Sequence, residues 1–266
     1  MGPAEFVRWE LVGDVARVTL DRPPVNAVNQ QMYRELTELF APDGELAARA
    51  AVVVLAAAGR HFCAGNDLHE FSTLDPRNSD ARMAEVRAAF FAIQDLPIPV
   101  IGAVHGAALG TGLAIAASCD FVLAAHNATF GTPEVSVGIM GGARHLARLV
   151  PEPWVRWMYF SAEPISAAQL YELGGAIAVV PAETLLDEAM ARATRIAAHS
   201  TVVLRMAKQA LAGIAGTQLQ PGYVFEQSLT TALSGEPDSR EARAATLARR
   251  EPRYPSRAGR GGDQRK

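Results

Sequence analysis

The sequence predicts an α/β protein with a helical C-terminal region. Three observations carry this. Short apolar runs alternate with helix-period segments through the first half of the chain. Two of those runs, residues 51–56 and 100–104, are almost wholly apolar, as strands covered on both faces are. From Gly141 onward the helical period dominates.

The elements follow in order. Residues 6–11 and 15–20 alternate apolar and polar side chains around Gly13 and Asp14, the pattern of a β-hairpin. Met32, Leu36, Leu39 and Phe40 recur at helical spacing and predict a helix over 29–40. The apolar strand 51–56 leads into a glycine-containing loop, 59–68. A loop over 71–78 precedes a helix over 81–93, which Pro97 and Pro99 bring to an end. The strand 100–104 feeds a second small-residue loop, 105–113, and a helix over 112–118. A strand is expected at 121–124, and strand-like stretches at 129–131 and 135–137 flank Pro133 and Glu134. Helices are expected over 143–149, 153–160, 167–173, 182–198, 202–212, 223–233 and 239–249, with a strand at 177–180.

Composition limits the function classes. At 266 residues, with 49% hydrophobic and 20% charged residues, the chain reads as a soluble protein with a sizeable core. A net charge of −3 gives no pull toward nucleic acid or an anionic membrane. Basic residues concentrate only over 249–266, which reads as a mobile terminus. Two cysteines are too few for a disulfide framework and point to a reducing compartment. The first ten residues have no signal-peptide pattern, and Asp120 interrupts the best apolar stretch, so a cytoplasmic protein without a membrane span is expected.

The two small-residue loops carry the chemistry. Their backbones can approach a ligand closely, and facing each other they could aim two N–H groups at one oxygen, an oxyanion hole. Gly110-Thr-Gly-Leu-Ala-Ile115 lacks the third glycine of a dinucleotide loop, and no phosphate-binding GxxxxGK[ST] occurs. His61, Cys63, Asp67 and His69 fit no zinc spacing, so no metal is expected. Cys63 has no base implied beside it and reads as a packed residue rather than a nucleophile. Glu134, in apolar surroundings, is either a desolvated proton carrier or an exposed glutamate after Pro133, and its local sequence leaves both open. Asp120 reads as a structural carboxylate tying backbone N–H groups.

Taken together, these segments resemble the crotonase family, the enoyl-CoA hydratase/isomerase group. Arg22-Pro-Pro-Val-Asn-Ala-Val-Asn29 is similar to its CoA-contacting segment, and Phe62-Cys-Ala-Gly-Asn-Asp-Leu68 to its first oxyanion-hole loop. The stretch from Ala103 to Asp120 is similar to the second loop, and Phe130-Gly-Thr-Pro-Glu-Val to the strand bearing a catalytic glutamate. The resemblance implies a spiral of ββα units over 1–195 that binds and transforms a CoA thioester. A helical trimerisation region follows over 196–254, then a disordered tail over 255–266. It implies a homotrimer or a dimer of trimers, and coenzyme A as part of the substrate with no prosthetic group. By carry-over, the N–H groups of Asn66 and Thr111 form the oxyanion hole and Glu134 moves the proton. Val25, Ala27, Ala64, Asn66, Asp67, Leu68 and Gly110 line the CoA site.

The chain also departs from the family. Hydratases of the group use two glutamates, and Ala114 stands where the second belongs. A lone Glu134 therefore favours an isomerase-like proton transfer. Alternatives are a hydratase proper, a hydrolase or decarboxylase of the family, or a non-catalytic acyl-CoA-binding subunit. The segment 138–146 is shorter than usual and lacks its proline, which leaves Arg144 and His145 either to meet a polar acyl group or to face solvent. Near the C-terminus, Thr246 replaces an aromatic residue and Arg249 a lysine.

Overall fold

A computed structural model describes residues 4–257. Its strands are β1 (Val7–Val12), β2 (Val15–Leu20), β3 (Val52–Ala57), β4 (Val100–Val104), β5 (Ala107–Leu109), β6 (Phe121–Ala125), β7 (Thr129–Gly131), β8 (Ile165–Ser166) and β9 (Ala178–Val180). The expected hairpin forms, with Val12 opposite Val15. From β2 onward the main sheet is parallel, in the order β1-β2-β3-β4-β6-β9. A smaller sheet runs β5-β7-β8.

The apolar runs are buried on both faces, as their composition demands. Successive side chains of a strand point to opposite faces. Val53 and Leu55 of β3 accordingly enter one core with Phe40 and Phe62. Val52, Val54 and Ala56 enter the other, against Leu185, Ala189, Ala193 and Ala197 of the helix Leu185–Ala197. That four-residue stripe of mostly alanine lets the helix lie close on the sheet. The helix Gln30–Leu39 is capped by Asn29, whose Oδ1 accepts the Met32 N–H at 2.9 Å.

Three expectations need correction. Residues 135–137 are not strand-like: Pro133–Val137 is a 3-10 turn that proline starts and Gly138, at φ 73°, ends. The alternating valines misled, because Val135 and Val137 face outward, 44% and 50% exposed. The helix over 143–149 stops early, at Leu146. The terminus read as mobile from 249 is fixed as far as Arg257. Glu241 accepts from Arg250 Nη1 at 2.6 Å and from the Arg253 N–H at 2.6 Å, and Arg250 first among its partners holds this carboxyl down at about 2. Pro255–Arg257 form a 3-10 turn, and the rest of the expected tail, 258–266, lies outside the described residues.

The C-terminal helices Thr201–Ile214, Leu219–Ser234 and Pro237–Leu247 attach to the sheet through polar anchors. Lys208 Nζ donates to Ile98 O at 3.0 Å and to Asp120 Oδ2 at 2.9 Å, and that same oxygen accepts the Val100 N–H at 2.7 Å. Asp120 thus has the structural role read from its sequence. Replacing Lys208 by methionine removes the buried cation from a half-buried hydrogen-bonded pair. Chemical denaturation should show a stability loss of about 1–3 kcal/mol.

Candidate active site

The site forms where the two small-residue loops meet. The Cys63 N–H donates to Ala107 O at 2.9 Å, and the Leu109 N–H donates to Cys63 O at 3.0 Å. On its other side the first loop pairs with Val28: the Val28 N–H donates to Gly65 O and the Asp67 N–H to Val28 O, each at 2.9 Å. This parallel bridge uses the groups flanking Asn66 and leaves its own N–H pointing away from Val28. Gly110, at φ 52°, turns the second loop into the helix Thr111–Ser118. As the first residue of that helix, Thr111 has an N–H with no acceptor inside it. Gly112 sits hard against the first loop. A Cβ there would press into Cys63 O and stand 2.9 Å from the Cys63 carbonyl carbon.

Tyr33 fastens the two loops together. Its hydroxyl donates to Asn66 Oδ1 at 2.5 Å and shares a hydrogen bond of 2.9 Å with Thr111 Oγ1. Burial pushes the phenol well above its ordinary range, so the hydroxyl stays protonated. The sequence reading missed this residue. The available signal was a tyrosine beside Met32 in a helix packed on the core, since a buried phenol must find a polar partner. The variant Y33F should fold and bind CoA while turnover falls about tenfold, a loss of about 1.4 kcal/mol. Separate measurement of kcat and KM checks this.

Glu134 lies in the 3-10 turn, 6% exposed. Its Oε1 is packed beside Gly110 and Gly142, where a Cβ would come within 3.2 and 3.1 Å. Its Oε2 is buried with no hydrogen-bond partner among the described residues. Desolvation pushes its carboxyl above the usual glutamate range. Of the two local readings, the exposed one fails.

A cavity of about 500 Å³ opens over this joint. It is lined by every residue expected to contact CoA or to react: Val25, Ala27, Ala64, Asn66, Asp67, Leu68, Gly110, Thr111 and Glu134. Arg22, Pro23 and Pro24 of the segment likened to the CoA-contacting one line it too, and so do His69, Val137 and Ile139, which were not foreseen. Asp67 is already engaged: Arg22 Nη2 donates to it at 2.7 Å and holds its carboxyl below the usual range, while Asp67 caps the short helix Leu68–Phe71. A second cavity of about 230 Å³ shares Asn66, Gly110, Thr111 and Glu134 with the first. Ala114 lines this second cavity, and so does His145, whose ring meets Phe90 edge-on at 4.9 Å. Arg144 is exposed and does not line it. The joint is thus a two-sided chamber with a desolvated carboxylate and two free N–H groups where its halves meet.

Other side chains considered from sequence are bound up in structure. Burial pushes the thiols of Cys63 and Cys119 up to about 12, far from a reactive thiolate. His61 Nδ1 accepts the Ala107 N–H at 3.1 Å. Among the described residues no three His, Cys, Asp or Glu side chains gather as metal ligands. No helix among them is long and apolar enough to cross a membrane.

The family model described as enoyl-CoA hydratase/isomerase matches residues 10–257. A (7aS)-7a-methyl-1,5-dioxo-2,3,5,6,7,7a-hexahydro-1H-indene-carboxyl-CoA hydrolase of Rhodococcus jostii is 39% identical over 222 residues, 83% of this chain and 85% of that protein. A 2,3-dehydroadipyl-CoA hydratase of Escherichia coli is 36% identical over 251 residues, 91% of this chain and 96% of that protein. Among solved structures, an enoyl-CoA hydratase from Bacillus anthracis superposes with a TM-score of 0.88 at 27% identity, covering 94% of this chain and 99% of the other. DspI of Pseudomonas aeruginosa gives 0.90 at 26% identity, over 96% and 98% of the two chains. A match through both loops, the Glu134 turn and the C-terminal helices makes this chain a crotonase-fold member of the enoyl-CoA hydratase/isomerase family, whose enzymes act on acyl-CoA thioesters.

Proposed function

We propose that this chain moves a proton on an acyl-CoA thioester through an enolate. The Asn66 and Thr111 N–H groups receive the thioester oxygen, and Glu134 is the proton carrier. The observation that carries this reading is the bare, buried Oε2 of Glu134 in a chamber it shares with both N–H groups. Glu134 takes the α-proton of an unsaturated thioester, and the electron pair delocalises onto the oxygen. Each N–H donor contributes about 3 kcal/mol to holding that charge. The helix beginning at Thr111 adds its positive end. Glu134 then returns the proton at the γ carbon, and the double bond moves into conjugation. Ala114, 2% exposed, offers no second acid to hold a water, which favours isomerisation over hydration. The CoA moiety lies along Val25, Ala27, Ala64, Asp67 and Leu68.

A second reading rests on the Rhodococcus jostii relative, named a hydrolase. With Glu134 taking a proton from a water, the same two N–H groups would stabilise the oxyanion formed as that water adds to the thioester carbonyl; its collapse breaks the C–S bond, and the departing CoA thiolate takes the proton. A panel of 2-enoyl- and 3-enoyl-CoA thioesters, followed by absorbance and product mass, separates the readings. Isomerisation creates conjugated absorbance at constant mass, hydration adds the mass of one water to the thioester, and hydrolysis splits it into a free acid and free CoA. An unchanged panel would overturn the assignment.

The chain is also proposed to assemble as a homotrimer or a dimer of trimers. Leu211, Leu219, Val224 and Leu247 of its C-terminal helices are 67–86% exposed, apolar surface that further copies of the chain would cover. Light scattering of the purified protein tests this.

A further inference from the structure

The second cavity is walled on one side by a single helix face. Met83, Val86, Arg87 and Phe90 of the helix Ser79–Asp95 follow the i, i+3, i+4, i+7 pattern, and all four line it. Three of them are apolar, so an arginine in that row is the exception. It is not explained by pairing within the fold. The nearby acid on the same helix, Glu85, is held by Arg34 at 3.0 Å. The other arginine of the helix, Arg82, donates to Glu70 O at 2.9 Å and to Thr73 Oγ1 at 2.8 Å. The Arg87 side chain is exposed at the rim of the cavity and has no hydrogen bond or ion pair among the described residues.

Arg87 shares this cavity with His145, whose ring likewise has no hydrogen-bond partner among the described residues. Burial holds the His145 ring below the ordinary histidine range, and Arg148 lowers it further, so it serves as a neutral donor while Arg87 supplies charge. Among the residues lining this cavity the only carboxylate is Glu134. An aromatic wall runs from Tyr33, which braces the two loops, through Phe90 at 6.1 Å to His145. The volume of about 230 Å³ holds about eight non-hydrogen atoms at about 30 Å³ each.

Resting on the acyl-CoA reading above, we propose that this enzyme takes short acyl groups bearing a carboxylate at the end remote from the thioester, and that Arg87 recognises that carboxylate. The bidentate geometry of a guanidinium suits a carboxylate, and an apolar wall beside it selects the methylene chain. A relative named for a dehydroadipyl thioester handles an acyl group of this class.

The test is calorimetric binding of three saturated thioesters of similar length: adipoyl-CoA, hexanoyl-CoA and 5-oxohexanoyl-CoA. None has a double bond to shift or hydrate. The unmodified protein should prefer adipoyl-CoA over both others by about tenfold or more, and R87Q should bind all three alike. R87K, which keeps the charge but loses the fork, should fall between. Equal binding of the three by the unmodified protein, or a preference that survives R87Q, overturns the proposal while leaving the acyl-CoA reading intact. If none of the thioesters binds, both fall together.

Discussion

Replacing Glu134 by glutamine should abolish turnover, by about 10²–10⁴-fold, with acyl-CoA binding retained. The amide fills the same volume and cannot take a proton. The variant should also be at least as stable as the parent at neutral pH. A carboxyl whose folded pKa is raised favours the folded state below its ordinary pKa. That contribution is lost as pH rises through the folded value, so near neutrality the ionised Glu134 opposes folding. Glutamine removes that burden. Thermal melting alongside the assay distinguishes loss of chemistry from loss of structure. In the parent enzyme the carboxylate must be ionised to accept a proton. The acidic limb of the kcat/KM profile should therefore lie above the ordinary glutamate range, with activity falling as pH drops through it. Undiminished turnover in the variant would refute the role given to Glu134.

The second large effect is expected at Gly112, which contributes no functional group. Its φ is unremarkable for a helix; what constrains it is the Cys63 carbonyl pressed against its Cα. The obstacle to a methyl group is main chain and cannot rotate aside. In G112A the first loop must retreat from the second, which lengthens the Tyr33 bridge and separates the Asn66 and Thr111 N–H groups. Turnover should drop by about 10²-fold or more, as when one oxyanion donor is lost. Stability should fall by about 1–3 kcal/mol through overpacking. Alanine at Gly13, where nothing lies within 4 Å, is the companion variant: its φ of 62° costs stability, yet catalysis should be untouched. Equal activity of G112A and the parent would show that the contact between the loops does not set the site.

Much of the fold was legible because its signals are local. Apolar runs such as 51–56 can be read without knowing their partners, and so can the helical spacing of Met32, Leu36, Leu39 and Phe40. The site residues were legible through family resemblance, since no single-residue signal in Asn66 or Thr111 marks an N–H that protrudes. That property belongs to backbone pairing with Val28 and to a helix start, both visible only in three dimensions. Tyr33 and Arg87 escaped for the same reason. Tyr33 is 33 residues from Asn66 and 78 from Thr111 along the chain, and their meeting is tertiary. Arg87 stands on a helix expected from sequence, yet only the cavity shows that this exposed side chain borders a binding chamber. The 3-10 turn at Glu134 was read as strand because Val135 and Val137 alternate. Pro133 and Gly138 were the better guide, since they begin and end a single turn.

Lys208 reaches from the C-terminal helices to the root of β4, the strand that runs on toward the loop bearing Thr111. A tug on those helices is therefore transmitted to the base of the strand that leads to the Thr111 loop. Seating of these helices and alignment of the two loops share one mechanical linkage, and a cut that removed the chain from Thr201 onward would unseat a centre none of whose atoms it had touched.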